Sequence, residues 1–104
     1  MPALIVTKET MQSEVVNSEK TVLLDFWAPW CGPCRMLGPV IDQIANEAPH
    51  IKVVKVNIDL EPELAQEFSV MSIPTLVVIK GGEETNRAVG VIPKAAILEL
   101  LNEK

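Results

Sequence analysis

The chain has 104 residues, 48% of them hydrophobic, and a net charge of −5. This suits one compact domain, expected to span residues 1–104, and leaves no room for a second. The acidic balance argues against binding nucleic acid or an anionic membrane, and no run approaches the roughly 18 apolar residues of a membrane span.

In chain order, Ala3 to Val6 is a short apolar run that reads as an edge strand. Thr7 is placed to cap a helix from about Lys8 to Asn17, with Met11 and Val15 four apart on its buried side. Thr21 to Trp27 is apolar on both alternating faces, as a central strand covered on both sides should be, with Asp25 its only charge. Ala28-Pro29-Trp30 turns into a helix-like run from Arg35 to Ala48, with Pro33 in the first helical turn and a kink expected at Pro39. Ile51 to Ile58 reads as a second buried strand, oddly interrupted by Lys55, and Pro62 begins a short helix through Phe68. Thr75 to Lys80 is a third strand, Gly81-Gly82 a hairpin signal, and Arg87 to Val91 the returning strand. Pro93 opens a last helix with an apolar stripe of Ile97, Leu100 and Leu101.

Strands alternating with helices are expected to pair in parallel through right-handed crossovers, and the glycine hairpin antiparallel. The fold class is therefore α/β: a three-layer α/β/α sandwich around a mixed, mostly parallel sheet closed by an antiparallel hairpin.

The chemistry concentrates in Trp30-Cys31-Gly32-Pro33-Cys34, which holds the only two cysteines. They sit where a strand hands over to a helix, and residues three apart on a helix can meet. A Cys31–Cys34 disulfide closes a very small ring, suited to being opened and remade rather than to stapling a fold. Half a zinc site is a weaker reading, because a structural site needs four ligands and His50 is the only further Cys or His. Inert core thiols fit poorly with neighbouring Trp, Gly and Pro at a strand end.

A thiolate is the attacking species in disulfide exchange, and a helix N-terminus favours negative charge. Cys31 is accordingly read as the nucleophile, and Cys34, one turn inside and expected to be less exposed, as the resolving thiol. Asp25 is the candidate acid–base group for Cys34, since burial raises a carboxyl pKa toward neutrality. It also reads as a structural carboxylate paired with Lys55, and both readings hold together if the lysine tunes the acid. Ile73-Pro74 precedes a buried strand: a cis bond there would free the Ile73 backbone to pair with an extended peptide, while a trans proline merely starts the strand. Trp27 is expected to pack, and Trp30 to form substrate surface together with Gly90 and Val91.

Asp25-Phe26-Trp27-Ala28, Trp30-Cys31-Gly32-Pro33-Cys34, Pro39, Val56-Asn57-Ile58-Asp59, Ile73-Pro74-Thr75 and Gly90 together resemble the thioredoxin family over nearly the whole chain. A reactive Cys-x-x-Cys pair is commonly illustrated with this very family, so the general rule and the resemblance are one argument. The resemblance implies a thioredoxin fold, with Cys31 as nucleophile, Cys34 as resolving thiol, Asp25 as buried acid–base group, Lys55 as its neighbour and Pro74 as a cis-proline. Gly32-Pro33 between the cysteines is the dipeptide of the reducing members. It further implies a protein-disulfide reductant and electron carrier, recharged by a thioredoxin reductase, with no bound metal or organic cofactor. The chain departs from the family at Pro29 and at Met71-Ser72, positions that face partners.

A cytosolic protein is expected, because Met1 to Lys8 lacks a basic and apolar leader, and it is expected to be a monomer. The rival function is a redox-independent interaction module using the groove of Trp30, Ile73, Pro74 and Gly90. An oxidase or isomerase of exported proteins is disfavoured by Gly32-Pro33 and by the missing leader.

Overall fold

The apolar faces of one strand, β2 (Thr21–Trp27), organise both layers of the core in the computed structural model, which describes residues 3–102. On one side Leu23 packs with Leu37, Ile41 and Ile44 of α1 (Gly32–Glu47) and Ile97 of α3 (Lys94–Leu100). On the other, Val22, Leu24 and Phe26 pack with Met11, Val15 and Leu64, and Phe26 meets Phe68 with ring centroids 5.4 Å apart. Each such fully buried side chain contributes roughly 1.5–3 kcal/mol by leaving water.

Strands β1 (Leu4–Ile5), β3 (Ile51–Asn57), β4 (Thr75–Lys80) and β5 (Glu83–Val89) complete a five-stranded mixed sheet in the order β1-β3-β2-β4-β5. Helices cover both faces, giving the three-layer α/β/α arrangement expected, and the sheet stays open rather than closing into a barrel. β1, β2, β3 and β5 run one way and β4 alone runs against them. The parallel crossover expected between β3 and β4 is therefore absent: β4 pairs antiparallel with β2, Phe26 opposite Thr75. The connecting helix α2 (Pro62–Glu67) has six residues and spans only about 9 Å. It does not run back along β3: the helix starts beside the end of that strand, where Glu61 N–H donates to the Asn57 carbonyl, and the loop after it brings Ile73-Pro74 to Cys31. The chain stays at the end where β3 finished, and β4 starts there.

Two boundaries also differ from expectation. In place of an α-helix over residues 8–17 there is a turn and then a π-helical segment, Gln12–Val16, with Asn17 N–H donating to the Gln12 carbonyl at 2.9 Å. Thr7 does not cap it; Thr10 Oγ1 accepts from Thr7 N–H at 3.0 Å, and the Thr10 and Ser13 hydroxyls donate to nearby carbonyls. Such local bonds compete with regular helix, and the branched Val15-Val16 pair weakens it further. β5 begins at Glu83, earlier than Arg87, because Gly81 and Gly82 both have positive φ and close a two-residue turn with Lys80 opposite Glu83. Gly90 and Val91 thus lie beyond the strand. The ends of the expected single domain, residues 1–2 and 103–104, lie outside the described residues.

Gly82 has a second constraint: a Cβ there would sit 3.1 Å from the Val16 carbonyl oxygen, at φ +82. Gly82→Ala should lower stability by about 1–2 kcal/mol. Gly81→Ala, which meets open space, should cost less. Urea unfolding of the two variants checks the ranking, and equal losses would mean that the approach to Val16 is without consequence.

Candidate active site

The topology gathers four connections at one end of the sheet. There β2 and β3 finish at Trp27 and Asn57, β4 begins at Thr75, and β5 finishes at Val89. The turn after β2, the loop after β3, the loop before β4 and Gly90-Val91 therefore share one surface.

Cys31 occupies the N-cap of α1, with extended backbone (φ −86°, ψ 110°), and its Sγ accepts a hydrogen bond from Cys34 N–H at 3.2 Å. Cys31 N–H donates to the Ala28 carbonyl, closing the turn that aims the sulfur across the helix start. Pro33 lies in the first helical turn, where no N–H is required. Cys31 and Cys34 are joined as a disulfide, their Cα atoms 5.2 Å apart. The expected difference in exposure is not found: each cysteine is only 5% exposed, because Ala28, Trp27, Ile58 and Ile73 pack around the pair. What separates them is the cap position, which gives Cys31 the helix N-terminal N–H. Gly32 is not demanded by backbone geometry, since its φ is ordinary and a Cβ there would meet open space.

Around the disulfide, Ile73-Pro74 is cis, and the Ile73 carbonyl oxygen lies 3.9 Å from Cys31 Sγ. Among the described residues none accepts the Ile73 N–H. Thr75 Oγ1 donates to the Ser72 carbonyl at 2.6 Å, and Gly90 N–H, at φ +92, donates to the Pro74 carbonyl at 2.8 Å. The loop and the end of β5 are thus fastened to each other beside the sulfurs. Met71 is 93% exposed, and Ser72 and Val91 are exposed as well. Trp30 is 66% exposed, with its indole N–H shared between the two carboxylate oxygens of Asp59 at 3.0 and 3.2 Å. Trp27 is half-buried against the cysteines.

Sequence reading quoted Asp59 for the family resemblance but gave it no site role, and did not single out the exposed apolar residues Met36 and Leu60. A usable signal existed: Asp59 and Leu60 lie two and three residues past the end of β3, at the strand end where α/β proteins place their sites.

Asp25 is 3% exposed, and its Oδ1 has no hydrogen-bond partner among the described residues. It shares the α1-facing side of β2 with Leu23 and pairs in register with Lys55 on β3. The ion pair that Lys55 makes, however, is with Asp42 of α1 (Nζ–Oδ1 3.3 Å), so the pairing with Asp25 considered from sequence is not what the fold contains. Burial pushes the Asp25 carboxyl up from 3.8 to about 6; the Lys55 charge pulls it down and Asp42 pushes it up.

Among the described residues no group of three or more His, Cys, Asp or Glu could hold a metal ion. Nor is any helix long and apolar enough to cross a membrane. A cavity of about 450 Å³ lies at the opposite end of the sheet beside Lys20, Pro49 and Ile51, away from the sulfurs.

Residues 2–103 match the family model described as Thioredoxin. A protein named Thioredoxin 1 from Nostoc sp. is 48% identical over 99 residues, covering 94% of this chain and 92% of the relative. Thioredoxin of Streptomyces clavuligerus is 50% identical over 93 residues, covering 89% and 87%. Thioredoxin M-type, chloroplastic, of Chlamydomonas reinhardtii is 44% identical over 99 residues, covering 94% of this chain and 71% of its own length.

The raised Asp25 pKa has a consequence for stability. The folded chain holds this proton more tightly than the unfolded chain does, so the contribution is intact below pH 3.8 and is lost as pH rises through about 6. At about 1.4 kcal/mol for each pH unit, ionised Asp25 costs the fold about 3 kcal/mol at neutral pH. Asp25→Asn should stabilise the oxidised protein by about that amount at pH 7, and the gain should vanish as pH falls to 4. Urea unfolding across this range checks it; a gain independent of pH would mean that the carboxyl is not perturbed by burial.

Proposed function

Since this chain belongs to the thioredoxin family and is a protein-disulfide reductant, we propose that Cys31 is its nucleophile, Cys34 its resolving thiol and Asp25 the acid–base group that serves them. The observation that carries this reading is the Cys31–Cys34 disulfide at the start of α1, with the Cys34 N–H bonded to Cys31 Sγ. That N–H and the helix dipole stabilise a thiolate at Cys31 once the bridge is reduced.

In the dithiol form, the Cys31 thiolate attacks one sulfur of a target disulfide, forming a mixed disulfide and expelling the other target sulfur as a thiolate. Cys34 gives its proton to the Asp25 carboxylate and attacks Cys31 Sγ. The second target thiolate leaves, two electrons have passed to the target, and the Cys31–Cys34 bridge is restored. Asp25 suits the task because a carboxyl near pKa 6 is mostly ionised at neutral pH yet takes a proton more readily than an ordinary aspartate. Lys55, adjacent in register, tunes that balance.

The target is held in the groove between Trp30 and the loop Met71-Ser72-Ile73-Pro74, bounded by Gly90 and Val91. The unpaired Ile73 amide supports pairing with an extended peptide. Open space above Gly32 keeps this approach clear. The electrons are resupplied by a thioredoxin reductase, the chain holds no cofactor of its own, and it works as a single-domain monomer in the cytosol. Nothing in the site favours the redox-independent scaffold.

Cys34→Ser should accumulate a mixed disulfide at Cys31 when mixed with a protein disulfide, and Cys31→Ser should form none. Asp25→Asn should leave Cys31 attack unchanged and slow release of the mixed disulfide by roughly a hundredfold. Stopped-flow kinetics separates the two steps, and an unaltered release rate would remove Asp25 from the mechanism. Titration against a dithiol buffer, read by Trp27 and Trp30 fluorescence, should give a midpoint more reducing than the glutathione pool. A midpoint at or above that pool would contradict the reducing direction.

A further inference from the structure

The loop that brings Ile73 to Cys31 leaves α2 through a strained exit. Ser69 N–H donates to the Gln66 carbonyl (3.0 Å) and Val70 N–H to the Ala65 carbonyl (2.8 Å). These are the paired bonds that close a helix whose next residue turns left-handed. Ser69 makes that turn at φ +53, a conformation ordinarily given to glycine.

Arg87 of β5 spans this exit from outside. Its Nη2 donates to the Phe68 carbonyl at 2.6 Å and its Nη1 to the Ser69 carbonyl at 3.5 Å. The same guanidinium is held by Glu84, Nε to Oε2 and Nη2 to Oε1, both at 2.8 Å. One carboxylate thus orients a planar fork whose other edge meets the negative end of a helix.

A bulge makes the arrangement possible. Residues three apart in a regular strand face opposite sides. Here Glu84 pairs with Ile79, Asn86 with Val78 and Arg87 with Val77, leaving Thr85 as an extra residue. Glu84 and Arg87 therefore fall on the same face, the one that carries α2. The loop is then held at both ends by β5 and the residue that follows it: by Arg87 at residues 68 and 69, and by the Gly90 N–H at Pro74.

We propose that Arg87, oriented by Glu84, is a positioning residue for substrate binding, a strap that sets where Met71 and Ile73 meet an incoming peptide. This rests on the reading of residues 71–74 as the substrate groove. The guanidinium bonds to neither cysteine nor Asp25, so it acts on how a protein target is held and not on sulfur exchange.

The test compares reduction of insulin disulfides with reduction of the small disulfide 5,5′-dithiobis(2-nitrobenzoate). Arg87→Gln should raise KM for insulin about fivefold, leaving kcat, the small-disulfide rate and the redox midpoint unchanged. Arg87→Lys, which keeps the charge at the helix end without the fork, should recover part of the loss. Glu84→Gln, a milder change that keeps Arg87, should show a smaller rise in the same KM. Thermal unfolding accompanies each variant, so a lowered melting temperature with an unchanged KM would reduce Arg87 to a structural cap and overturn the proposal. Parallel loss toward both disulfides would overturn it as well, by placing the effect on the cysteines. Ile73→Ala and Met71→Ser test the groove itself. If they raise KM and Arg87→Gln does not, the strap fails and the groove stands; if none of them raises it, both fall.

Discussion

A two-sulfur bridge at the junction of β2 and α1 is the constraint on which the rest of the structure depends. The ring contains only the four residues Cys31 to Cys34, so its geometry follows from how a strand ends and a helix begins. The N-cap position leaves one helix N–H pointing at Cys31 Sγ, a bond available to whichever charge state the sulfur adopts. Both sheet faces, built on the apolar strand β2, hold that junction in place. Chemistry that opens and closes the bridge therefore runs on a rigid support, with the mobile partner being the target.

Asp25 shows the same support being used against stability. A carboxyl with an unpartnered oxygen beneath α1 is unfavourable when ionised, and an apolar residue would pack there without that penalty. Lys55 lowers the penalty through its charge, but Asp42 draws the ammonium into an ion pair of its own and weakens this relief. The three groups leave Asp25 able to exchange a proton near neutral pH. A fold with a large apolar core absorbs the cost, and the proposed proton transfer gives a reason for it.

The reversed strand β4 has a functional side. Because β4 runs antiparallel to β2, the loop before β4 lies at the same sheet end as the cysteines. That loop carries Ile73 to within 3.9 Å of Cys31 Sγ, and β5 braces it from beyond. A parallel β4 would have placed Ile73-Pro74 at the far end. The mixed direction of the sheet and the composition of the site are thus one fact seen twice.

Some of this was present in the order of residues alone. The double-sided apolar pattern of Thr21 to Trp27, the Cys31–Cys34 spacing, the proline in the first helical turn and the glycine hairpin are local, and each follows from steric and hydrophobic rules acting over a few residues. The anomaly of Asp25 and Lys55 was visible too, as charges in apolar strands. Which charge meets which was not: that depends on a helix, α1, folding back over two strands, and it gave Lys55 to Asp42. The direction of β4, the indole bond from Trp30 to Asp59, the equal burial of the two cysteines and the Glu84–Arg87 fork across a bulge are likewise contacts between segments distant in sequence, or consequences of one extra residue in a ladder. Local pattern determines what each segment can be, whereas only packing decides which segments share a surface, because that choice is made by the core as a whole.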